Sequence, residues 1–123
     1  MEEIKTVNYK GKDIISIDYS KCGNDQQKVI AIASEAAAIM AKMPLNSALV
    51  LINVKNFTFS SEIIQKFKEN LVTTKDRRKK QAIIGVDDGL RNFLYHTITR
   101  FAHINIPSFN SETEAMEWLV SEE

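Results

Sequence analysis

The chain has 123 residues, of which 44% are apolar and 26% charged, and its 16 basic and 16 acidic side chains cancel to a formal net charge of zero. These values exclude a disordered chain and remove any global attraction to nucleic acid or to an anionic bilayer. With Cys22 as its one cysteine the chain forms no internal disulfide, and it has no run of about 18 apolar residues to span a bilayer, so neither a bridged secreted scaffold nor membrane insertion is expected. The beginning, "MEEIKTVNYKGK", lacks the basic start and apolar core of a signal peptide, and the expected location is the cytoplasm.

In chain order, "IKTVNYKGKDIISIDYS" places two β-rich runs around Lys10, Gly11 and Lys12, with Ile15 and Ile17 alternating with Ser16 and Asp18, which predicts a hairpin. From Asn24 to Met43 the apolar positions Val29, Ile32, Ala33, Ala36, Met40 and Met43 fall on one helical face, with Asn24 or Asp25 as cap and Pro44 marking the end. Residues 47–54, "SALVLINV", are apolar almost throughout and predict a central strand covered on both faces. A second helix follows, carrying Ile63, Ile64, Phe67 and Leu71 at helical spacing, and it runs out in "TTKDRRKK".

Residues 81–86, "QAIIGV", predict another buried strand, after which Leu90, Phe93, Leu94, Ile98 and Phe101 mark a third helix. The run "INIPSF" predicts a short strand whose Pro107 suits a sheet edge, because proline has no amide to give to the ladder. Ser111 and Glu114 have capping-box spacing at the start of a last helix, packed through Ala115, Trp118 and Leu119. The order ββαβαβαβα argues for an α/β layer with a mostly parallel sheet and an antiparallel hairpin at one side, within one domain over residues 1–123.

Catalytic equipment is sparse. His96 and His103 are two helical turns apart, roughly 10 Å, which is too far for a shared metal. Asp87 and Asp88 follow a strand end and fit either a helix cap before "GLRNFL" or a magnesium site, with the cap as the simpler reading. "KDRRKK", residues 75–80, is a basic cluster without interleaved aromatics, so a solvated connection suits it better than phosphate or nucleic-acid binding. No phosphate-cradling glycine loop and no nucleophile elbow is present, and Cys22 is read as part of a polar turn. No cofactor, metal or enzymatic activity is expected.

The segments "LVLINVKNFTFSSEIIQKF", "QAIIGVDDGLRNFLYHTITRF" and "FNSETEAMEWLV" together resemble the STAS domain superfamily, named from sulfate transporters and anti-sigma-factor antagonists. They look in particular like small stand-alone bacterial STAS-like proteins with a Gly-Leu helix start after a buried strand and a closing "EAxEWL" helix. The resemblance implies a mixed four- to five-stranded sheet with about four helices, mainly on one side, and a non-enzymatic regulatory or protein-interaction role of signalling type. In the antagonists of this family a loop after a buried strand carries a serine that a partner kinase phosphorylates.

The matching residues here are Phe57, Thr58, Phe59, Ser60, Ser61, Glu62 and Ile63, which puts Ser60 at the phosphorylated position and makes Ser60 and Ser61 the candidate switch residues. Phe59 replaces the family's aspartate and Glu62 its glycine, so the expectation is a module without the usual switch. A plainer role is physically complete: Ser60 as N-cap, Glu62 in the favoured first turn, and Phe59 packed on Ile64 as a hydrophobic staple. Phe57, Phe59, Glu62, Asp88, Arg91 and Tyr95 form the candidate interaction surface for an unidentified protein partner, with a homodimer through the hairpin edge or a helix face as one option. The alternative is a binder of a lipid or nucleotide, since the group also resembles lipid-carrying folds in layout and Arg91, Tyr95, His96 and Arg100 offer polar groups on the third helix.

Overall fold

The computed structural model describes residues 1–86 and 89–121, leaving aside the side chains of Leu90, Phe93, Leu94 and Ala102. Its elements are β1 (Ile4–Tyr9), β2 (Lys12–Asp18), α1 (Gln26–Ala41), β3 (Ala48–Asn53), α2 (Ser61–Thr74), a 3-10 turn (Lys75–Arg77), β4 (Arg78–Ile84), α3 (Gly89–Ala102), β5 (Ser108–Phe109) and α4 (Glu112–Val120). The hairpin closes through Lys10 and Gly11, both at positive φ, in the two-residue turn whose twist matches its strands. The α1 helix starts at Asp25, whose carboxylate accepts from the Lys28 amide at 3.1 Å.

The five strands lie in sequence order, β1-β2-β3-β4-β5. The hairpin is antiparallel and every later neighbour is parallel. Because each parallel strand is added on the same side of the last, crossovers of one hand bring α1, α2 and α3 to the same face. That face holds Ile15, Ile17, Val50 and Ile83 of the sheet against Val29, Ile32 and Met40 of α1, Ile63 and Leu71 of α2, and Ile98 of α3. The chain then returns under the sheet, so that Ala115 and Leu119 of α4 bury Ile14, Leu49, Leu51, Ala82 and Ile84 on the other face.

Two boundaries depart from the sequence reading. The fourth strand begins at Arg78, inside the basic run and three residues before the expected Gln81, because Arg78 pairs with Ala48 at the start of β3. The pairing shifts register there, Ala48 facing Arg78 and Leu49 facing Lys80, so Lys79 is the extra residue of a β-bulge. The last strand shrinks to Ser108 and Phe109, since Pro107 gives the sheet only its carbonyl, which accepts from Ile83 at 3.0 Å. The α3 helix ends with His103 at φ 54, the Ile104 amide reaching back to Thr99 and the His103 amide to Arg100. This pattern normally uses glycine at the left-handed position.

Candidate functional site

The carboxyl ends of β3 and β4 meet the amino ends of α2 and α3, the usual place for binding in parallel sheets. The loop from Val54 to Ser60 is held from several directions. The Thr58 amide donates to the Gly23 carbonyl at 2.9 Å, Gln26 Nε2 donates to the Thr58 carbonyl at 2.9 Å, and the Thr58 hydroxyl donates to Asn24 Oδ1. From α3, Arg91 Nη1 and Nη2 donate to the Val54 and Phe57 carbonyls at 2.7 Å each. Its guanidinium carbon also lies 5.4 Å from the Phe57 ring centre and 5.5 Å from that of Phe59, so one cation binds the loop backbone and caps two aromatic faces. Gly85 holds the floor: at φ +98, a Cβ there would stand 2.7 Å from the Lys55 amide nitrogen, so a side chain does not fit.

The sequence-predicted residues separate by depth. Phe57 is buried, with ring centres 4.6 Å from Phe59, 5.7 Å from Tyr19 and 6.0 Å from Phe67, so its side chain supports the surface from below instead of presenting itself to a partner. Phe59 and Tyr95 are half-buried, and Ser61 and Glu62 are exposed. Ser60 is the N-cap of α2: its backbone is extended and its Oγ accepts from the Ile63 amide at 3.2 Å. The staple finds a broader form than Phe59 on Ile64 alone, since both side chains pack on the large core cluster and the Phe59 ring meets Phe67 edge-on at 6.3 Å. Asp88, and with it the Asp87–Asp88 choice between cap and magnesium, lies outside the described residues.

The polar set expected on the outer side of α3 divides. Arg91 and Tyr95 turn toward the sheet, the Tyr95 hydroxyl donating to the Ile106 carbonyl, while His96 and Arg100 are exposed. Burial raises the Tyr95 hydroxyl above its ordinary pKa and keeps it a donor. Cys22 is not part of a polar surface turn but is buried, and burial pushes its thiol up, away from the reactive thiolate. Among the described residues no group of three or more His, Cys, Asp or Glu side chains is placed to hold a metal ion, and no helix is long and apolar enough to cross a membrane.

The basic run is no solvated connector. Arg77 Nη1 donates to the Met43 carbonyl beyond the end of α1, and Lys80 Nζ donates to the Trp118 carbonyl at 2.8 Å and the Ser121 carbonyl at 2.9 Å, closing α4. Arg78 is 9% exposed and faces the three-helix side. There a polar chain runs through the core. Asn70 donates to the Ala33 carbonyl at 2.7 Å, Thr74 Oγ1 donates to the Asn70 carbonyl at 2.6 Å, and Arg78 donates to Thr74 Oγ1 at 2.8 Å and Gln81 Oε1 at 2.6 Å. Sequence reasoning missed Arg78, because period-two alternation assigns it the same side as Lys80. Tyr19 was legible, since it extends the alternation of Ile15 and Ile17 into the same core.

Neither a protein-family model nor a curated protein matches the chain. Among solved structures, an anti-sigma-factor antagonist (STAS) domain protein from Planctomyces limnophilus superposes over 96% of this chain and 98% of its own, with a TM-score of 0.56 and 19% sequence identity. The fold is that of a STAS domain. The sheet of five strands, the helices of its crowded face and the returning α4 of this STAS-like chain agree with the architecture implied by its sequence. Within that fold the loop bearing Ser60 stands between β3 and α2.

Proposed function

We propose that residues 1–123 form one non-enzymatic, cytoplasmic STAS-like module that acts in signalling by binding a protein partner, without the usual phospho-switch. The observation that carries this reading is the rigid rim around the start of α2. Exposed Thr58 and half-buried Phe59 stand on a loop whose backbone is tied by Arg91, Gly23 and Gln26, and exposed Ser61 and Glu62 open the helix that follows it. A loop so restrained loses little entropy when a partner docks, which favours its use as a contact surface. Arg91 and Tyr95 serve this surface by positioning it.

The solved neighbour described as an anti-sigma-factor antagonist supports a regulatory class. The absence of the switch rests on three residues. Ser60 Oγ already serves the α2 amino terminus, Phe59 stands where the antagonists of the family have an acid, and Glu62 sets a negative charge beside any phosphate on Ser60.

Crosslinking capture from the native cell, with wild type and a Glu62→Lys variant of unchanged circular dichroism and melting temperature, tests the surface. The reading expects a protein held by wild type and lost by Glu62→Lys, and phosphopeptide maps with Ser60 and Ser61 unmodified. Equal capture by both proteins defeats the surface assignment, and stoichiometric phosphate on Ser60 restores the switch.

A further inference from the structure

Between the sheet and helices α2 and α3 lies a chamber of about 70 Å³, walled chiefly by apolar side chains that include Ile83, Ile98, Ile106 and Phe67. Tyr19 and Arg78 are among the polar side chains that line it. The Arg78 guanidinium has five N–H donors, of which Thr74 and Gln81 engage Nε and Nη1. Among the described residues no carboxylate pairs with it, and Nη2, which no protein group engages, is open to solvent, since no fully buried side-chain nitrogen or oxygen there lacks a hydrogen bond. Burial lowers its pKa to about 10, so it keeps its charge at neutral pH. The Tyr19 hydroxyl is pushed well above its ordinary value, chiefly by burial, and remains a neutral O–H without a hydrogen-bond partner among the described residues.

A buried cation with neutral partners alone is costly to keep, and a hydrophobic residue of like volume normally serves the core as well or better. The fold nevertheless goes out of its way to bury this one. Without the bulge at Lys79, the alternation of β4 would set Arg78 on the α4 side with Lys80, and the extra residue turns it to the chamber instead. Bulges that re-aim a side chain in this manner are common beside binding sites. Arg78 also lines a surface cleft with Lys75, Lys79 and Lys80, which supplies a positive approach for an anion.

We propose that this chamber is a binding site for a small monocarboxylate with a short apolar tail, the carboxylate on Arg78 and the tail among Ile83, Ile98 and Ile106. A single charge is specified because the other cation lining the chamber, Arg91, is engaged by the Val54 and Phe57 carbonyls. The size follows from the volume: a cavity of roughly 150 Å³ admits benzene, so the 70 Å³ here encloses a few carbons, and a longer chain extends through the mouth. This site does not depend on the partner-binding reading of the loop.

Methyl NMR titrations of the full chain with sodium hexanoate, and with hexan-1-ol as its uncharged counterpart, test it. The expected result is a saturable shift of the Ile83, Ile98 and Ile106 methyls by hexanoate, binding about tenfold or more tighter than hexanol, as loss of one charged hydrogen bond implies. Arg78→Met, which removes the charge but keeps the volume, should cancel the preference for the acid and leave hexanol binding as it was. The proposal is overturned if hexanoate moves none of these methyls, if acid and alcohol bind alike, or if Arg78→Met binds hexanoate as wild type does. Should Arg78→Met not fold, the acid-to-alcohol ratio of wild type decides alone.

Discussion

The two faces of the sheet solve the same burial problem differently. Under the sheet, α4 presses Ala115 and Leu119 onto five apolar sheet residues, and polar groups stay at the rim, where Glu117 accepts from Tyr9 at 2.7 Å and pairs with Lys10 at 2.6 Å. On the other face, three helices cover the sheet but leave a chamber and bury Asn70, Thr74, Arg78 and Gln81. The difference teaches where stability and function are divided in this chain. A dry face optimised for packing has nothing to offer a ligand, whereas a face that tolerates a hole and a buried charge keeps polar groups that can act.

The largest expected effect breaks the dry face. Leu119→Ala removes a side chain 1% exposed, and should cost about 2–5 kcal/mol in urea unfolding because α4 cannot collapse onto the hole. Enlarging side chains sharpens the contrast. Leu51→Phe, under α4, should lose about 1–3 kcal/mol through overpacking, while Ile98→Phe grows into free space and should lose less than about 1 kcal/mol by the same measurement. Equal losses at the two positions would mean that the chamber closes in solution.

The caps give a smaller, matched pair, one on each face. Ser60→Ala and Ser111→Ala each remove a hydroxyl that accepts from a backbone amide at 3.2 Å, and each should cost about 1 kcal/mol in thermal or urea unfolding. A Ser60 loss far below that of Ser111 would point to a role for Ser60 beyond capping. The smallest effect lies at the rim. The hydrogen bond from Lys10, then that from Tyr9, hold the Glu117 carboxyl below its ordinary value of 4.5. Its contribution is therefore present above that value and fades as the pH falls through the lowered folded one. Glu117→Gln should flatten the acid limb of a stability-against-pH curve slightly, and the alkaline limb as well, because the Glu117 hydrogen bonds hold Tyr9 and Lys10 above their ordinary values and that contribution is lost as the pH rises through them.

Much of the molecule was legible before any coordinates. The Lys10–Gly11 turn, the Asp25, Ser60 and Ser111 caps, the apolar runs of β3 and β4 and the strand–helix alternation each follow from interactions within a few residues. The alternation and one hand of crossover put α1, α2 and α3 on one face only once each parallel strand adds on the same side of the last, an order that strand pairing decided. The candidate site was half legible: Ser60 in its cap was readable, but the burial of Phe57 and the inward turn of Arg91 were not, because the first answers to rings and the second to backbone carbonyls far away in sequence.

The sequence by itself determined the elements, their order and their caps, since backbone hydrogen bonds and hydrophobic period act locally. Tertiary structure alone decided which way Arg78 points. Its side follows from the register of β4 on β3, a choice made by strand pairing across 30 residues, and one bulged residue reversed what alternation would have assigned.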